Sequence, residues 1–95
     1  MNINALHHQE KAVSASALFS GEQGTTTTIR IKQGAVLKEH ITPTPALLLC
    51  IQGHVVFENE NGTTESLMAG DYVIIEPMVR HWLVAMLDSN VLLMK

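Results

Sequence analysis

The sequence predicts an all-β protein built as a double-sheet barrel around an interior. Three observations predict it. Short apolar segments are separated by turn residues roughly every eight to twelve positions. Thr25 to Lys32 is rich in β-branched residues and alternates. Two segments, Ala46 to Ile51 and His81 to Met86, are apolar at almost every position, the pattern of strands covered on both faces. No segment carries a helical period.

The elements follow in order. Val13 to Phe19 is a first strand, and Gly21 to Gly24 a turn. In the strand Thr25 to Lys32, Thr27, Ile29 and Ile31 share one face; Thr28, Arg30 and Lys32 share the other, expected to be solvated. Gln33-Gly34 breaks this strand and Val36 to His40 resumes extension. Thr42-Pro43-Thr44-Pro45 is a connection, because each proline removes a backbone donor. Ala46 to Ile51 follows. Ala46, Leu48 and Cys50 point one way, Leu47, Leu49 and Ile51 the other. Gly53 marks a turn or bulge. Val55 to Asn59 and Thr64 to Met68 flank Asn61-Gly62, a hairpin signal because both residues tolerate positive φ. Tyr72 to Ile75, His81 to Met86 and Val91 to Met94 complete the set.

Ninety-five residues suffice for one domain, with residues 1–12 expected to be flexible or a short covering segment. The net charge is −3, and the six Lys and Arg residues are scattered. Phosphate-backbone binding needs clustered positive charge, so no nucleic-acid partner is expected. No apolar stretch approaches membrane-spanning length, and Met1 to Lys11 lacks a signal-peptide apolar core. With a single cysteine, Cys50, these features lead to a cytoplasmic expectation. His7 and His8 are expected to be solvated.

Two spaced patterns carry more. The first is Gly34-x5-His40-x-Thr42-x3-Ala46-x6-Gly53, and the second Gly70-x5-Glu76-x-Met78-x2-His81-x3-Ala85. Their spacing resembles the two motifs of the cupin family, over about residues 29–95. The fuller family pattern has His at Thr42 and Glu at Ala46. It has Pro, Gly and Asn at Glu76, Met78 and Ala85. The resemblance implies a double-stranded β-helix, the jelly-roll-like cupin barrel. It also implies a metal site of three histidines and a carboxylate, which suits zinc, nickel, manganese or iron. Carried over residue by residue, only His40 and His81 remain as ligands, so any metal is expected to be held weakly.

The resemblance leaves three classes of function open. The first is a small-molecule-binding module, by analogy with the sensor cupin domains of sugar-responsive regulators. Its pocket would comprise His40, Thr42, Ala46, Leu48, Met78, His81 and Leu83. The second is a metal-dependent oxygenase or isomerase centred on His40 and His81. The third is a structural dimer without ligand. Cys50 is expected in the core, and His54 on the surface. A homodimer is expected to bury part of the outward apolar face formed by Leu47, Leu49, Ile51, Trp82, Val84 and Met86, the N-terminal strand covering some of it.

Overall fold

The computed structural model describes residues 1–95. One 3-10 turn (Ile3–Leu6) precedes nine strands: β1 (Val13–Ser20), β2 (Thr25–Ile31), β3 (Val36–His40), β4 (Ala46–Gln52), β5 (His54–Asn59), β6 (Thr64–Met68), β7 (Tyr72–Ile75), β8 (His81–Ala85) and β9 (Ser89–Met94). They form a five-stranded sheet in the order β1-β2-β9-β4-β7 and a four-stranded sheet in the order β3-β8-β5-β6. All pairings are antiparallel. Only β1–β2 and β5–β6 are hairpins within one sheet; every other connection passes to the opposite sheet. The result is a double-stranded β-helix.

Local chemistry fixes the turns. In the β5–β6 hairpin the Asn59 side chain accepts from the Asn61 and Thr63 N–H groups, both at 3.0 Å, and Gly62 takes φ 84°. At the β4–β5 junction Gly53 has φ 91°, and a Cβ there would collide with Ser89 Oγ and the Asp88 carbonyl. The Ser89 hydroxyl lies in that space, accepting from His54 N–H at 2.9 Å and donating to the Leu87 carbonyl at 2.7 Å. One glycine and one serine thereby lock β5 of the smaller sheet to β9 of the larger.

The core lies between the sheets. Ile31, Leu48, Cys50 and Val91 of the larger sheet meet Val55, Phe57, Leu83 and Ala85 of the smaller, all at most 2 % exposed. Each fully buried side chain of Leu or Val size contributes about 1.5–3 kcal/mol relative to exposure. Cys50 is a free thiol in this core, its pKa raised by burial.

Three expectations are corrected. First, the face of β2 bearing Thr28 and Arg30 is covered. Thr28 is fully buried and Arg30 partly so, because residues before β1 lie across them. His7, expected to be solvated, is 7 % exposed, with Nδ1 at 2.9 Å from Ser14 Oγ and Nε2 at 3.2 Å from Thr28 Oγ1. Arg30 donates to Gln9 Oε1 at 3.0 Å and to the His8 carbonyl at 2.6 Å. Second, Leu47, Leu49 and Ile51 do not share a face with Trp82, Val84 and Met86. β4 belongs to the five-stranded sheet and β8 to the four-stranded one, so the two sets lie on opposite outer sides of the sandwich. Third, the short 3-10 turn had no counterpart in the periodicity; it is held by the Asn2 side chain accepting from Asn4 N–H at 2.9 Å.

Candidate ligand cavity between the sheets

A cavity of about 260 Å³ opens between the two sheets. Its walls are mostly aliphatic, with Ile29, Leu48, Ile75 and Leu93 from the larger sheet and Leu37 and Leu83 from the smaller. Its polar lining is Thr27, His40, Thr42, His81 and Lys95. A wider depression of about 620 Å³ beside the Gly21–Gly24 turn also touches Lys95 and contains no histidine.

His40 and His81 meet because β3 pairs with β8, where the two residues lie directly opposite each other. That pairing depends on a bulge. Leu37 opposes Leu83, and His40 opposes His81, so three steps along β3 match two along β8. Plain alternation from inward-facing Leu37 would put Glu39 in the cavity and turn His40 outward. The extra residue reverses this, as bulges beside functional sites do. The imidazole centroids are 6.1 Å apart, and His81 stacks on Phe57 at 5.8 Å and 25°.

Each ring is held by its own strand. His40 Nδ1 bonds the Lys38 carbonyl, and His81 Nδ1 bonds the Val79 carbonyl at 3.3 Å. A carbonyl only accepts, so both Nδ1 atoms carry a proton, and a neutral ring in this tautomer presents a bare Nε2. His40 lies at the exposed rim, whereas His81 is 4 % exposed. Burial lowers the His81 pKa from the ordinary histidine value; the Val79 bond opposes that shift, and the neighbouring His40 and Lys95 add to it. His81 is therefore held in its neutral form near pH 7.

The remaining sequence candidates separate. Thr42, Leu48 and Leu83 line the cavity with the two histidines. Ala46 and Met78 do not. Ala46 is packed into the core at 4 % exposure, paired with Ile75. Met78 is 65 % exposed on the β7–β8 turn, its side chain turned to solvent. Cys50 is outside the lining, and His54 bonds Ser66 Oγ at 2.6 Å on the outer side of the smaller sheet. Sequence reasoning missed the other lining residues, among them Ile29, Ile75, Leu37, Thr27, Leu93 and Lys95. The last three follow from continuing the β2–β9 register, which no single strand reveals.

The donor set does not fit the four-ligand metal centre of the motif pattern. Thr42 is buried with its hydroxyl donating to the Thr44 carbonyl at 2.9 Å, and Ala46 has no donor. No group of three or more His, Cys, Asp or Glu side chains converges to hold a metal ion. Two imidazoles on one tetrahedral zinc would have centroids about 5 Å apart, so these rings would have to close up to share an ion.

Nine antiparallel strands wound as a double-stranded β-helix define a class of barrel proteins. The comparisons narrow it: the cupin domain family matches residues 27–94, and this chain belongs to that family. No curated protein matches it. Among solved structures it is similar to a cupin superfamily protein from Desulfitobacterium hafniense, at 16 % identity and TM-score 0.84, covering 97 % of this chain and 84 % of that one. It is also similar to KdgF from Halomonas sp. (21 % identity, TM-score 0.80, covering 93 % and 82 %). DMSP lyase DddQ from Ruegeria pomeroyi matches at 16 % identity and TM-score 0.80, over 87 % of this chain but 46 % of that one. At these identities the likeness is one of fold.

Proposed function

We propose that this cupin domain binds a small organic molecule in the cavity between its sheets, with His40 and His81 as the polar contacts and Leu48, Leu83 and Thr42 in the wall. One observation carries the reading: two imidazoles, each held at Nδ1 by a backbone carbonyl, face a largely aliphatic cavity. Such a site, apolar with a few convergent polar groups, is the usual form of a small-molecule pocket. The single thiol, buried in the core, supports a reducing, cytoplasmic setting for the same reading.

A metal-dependent enzyme is the second reading, favoured by the orientation of the two rings. Backbone carbonyls hold each Nδ1–H, as they do for metal-ligating histidines. Two neutral ligands bring no charge to offset a cation, so any binding would be weak and would fall in acid.

One set of measurements separates these readings. Ligand-observed NMR with a library of single-ring fragments should give hits on the wild type, and Leu93→Phe, which fills the cavity, should lose them while keeping its circular dichroism. Calorimetric titration of chelator-treated protein with zinc, nickel and manganese should give only weak binding, lost in His81→Ala. Fragment hits that survive Leu93→Phe would place the site elsewhere. Submicromolar metal affinity would overturn the leading reading in favour of the metalloenzyme.

A further inference from the structure

The cavity is asymmetric in its hydrogen-bonding chemistry, and that asymmetry specifies a ligand. Lys95 contributes a donor and a positive charge. His81 contributes an acceptor, since its pKa is lowered by burial and its Nδ1–H is committed to the Val79 carbonyl. No Asp or Glu side chain lines the cavity. The wall between these groups is aliphatic.

Lys95 is fixed in this position by backbone pairing. Thr25 N–H donates to the Lys95 carbonyl at 2.6 Å, and Lys95 N–H donates to the Thr25 carbonyl at 3.0 Å. These bonds continue the ladder in which Thr26 opposes Met94 and Thr27 opposes Leu93. Lys95 thus takes the inward side of the sheet, with Leu93 and Thr27. Gly24 permits the approach: a Cβ there would lie 2.8 Å from the Lys95 carbonyl oxygen.

We infer that the cavity takes a small hydroxycarboxylate, its carboxylate paired with the Lys95 ammonium and its hydroxyl donating to the bare Nε2 of His81. The inference rests on the ligand-binding reading above and names the substrate class of that site. A single lysine compensates a single negative charge. A phosphate dianion would leave charge uncompensated against an aliphatic wall, where desolvation is costly. A volume of about 260 Å³ lies just below the usual range of ligand pockets, which limits the body to one ring or a short chain.

The test uses three probes of one shape: 3-hydroxybenzoate, benzoate and 3-hydroxybenzamide. Affinity is read from methyl chemical shifts of Leu48, Leu83 and Leu93 on titration. For the wild type, 3-hydroxybenzoate should bind at least tenfold more tightly than either of the others. Lys95→Met keeps the backbone ladder and the stem of an exposed side chain; it should remove the preference for the acid over the amide. His81→Phe should remove the preference for hydroxybenzoate over benzoate. Equal wild-type affinity for acid and amide would overturn the inference yet leave a ligand-binding cavity. Failure of all three probes would overturn it as well, and the fragment library would then decide separately whether the cavity binds anything.

Discussion

Met78 has a backbone φ of 64°, the only positive φ at a non-glycine residue in the chain. Its N–H is held by the Thr42 carbonyl at 2.8 Å, which ties the β7–β8 turn to the connection before β4. A side chain in the left-handed region costs about 1–2 kcal/mol, whereas glycine there loses about 0.5–1 kcal/mol in backbone entropy. The methionine is mostly solvated and gains little packing in return. Met78→Gly should therefore stabilise the fold, by up to about 1 kcal/mol, as a higher urea midpoint at constant slope. A lower midpoint would mean that Met78 packs in a way its exposure hides. The motif pattern has glycine at this position, and the backbone geometry supplies the physical reason.

The segment before β1 is tied to the sheet by a set of polar contacts. His7 bonds two hydroxyls beneath it, and Arg30 bonds Gln9 and the His8 carbonyl beside it. Burial lowers the His7 pKa, and the Arg30 charge lowers it further, against the Ser14 hydrogen bond. His81 is lowered as well, chiefly by burial. For both rings the folded state binds its proton less readily than the unfolded chain does. Their contribution to stability is therefore present above the ordinary value of 6.5 and is lost as pH falls through it. Urea unfolding should show stability falling below pH 6.5, by at most about 1.4 kcal/mol per pH unit for each histidine. His7→Gln should make that decline shallower without abolishing it, because His81 remains. An unchanged slope in His7→Gln would show that His7 titrates freely.

At the scale of the molecule the two outer sides differ. On the five-stranded sheet, residues before β1 cover the β1–β2 side, while the β4–β7 side presents Leu47, Leu49, Tyr72 and Ile74. Tyr72 and Ile74 are 61 % and 60 % exposed. We propose this apolar face as an association surface. A homodimer through it is the expected assembly, since two-fold pairing is the commonest form among homo-oligomers. Sedimentation at micromolar concentration should give a dimer in the wild type and a monomer in Ile74→Lys. A wild-type monomer would rule out this assembly. Ile74 is solvent-exposed in the single chain, so the substitution tests association without disturbing the core.

The strands were legible because β structure writes a period of two and its turns use few residue types. Thr64–Met68 and Tyr72–Ile75 were placed to the residue, and Asn61-Gly62 and Gly53 marked real turns. The spacing of two motifs also pointed to the histidine pair. Which residues line the cavity was a tertiary decision. One bulge in β3 chooses between Glu39 and His40, and alternation alone selects the wrong one. Lys95 enters only through its register with Thr25, seventy positions away in sequence. Sheet membership separated Leu47 from Trp82, although both read as outward apolar residues. Periodicity records how a strand divides its own residues between two faces. Which face is inside, and what meets it there, is set by pairing with distant strands, and that information is not local to any segment.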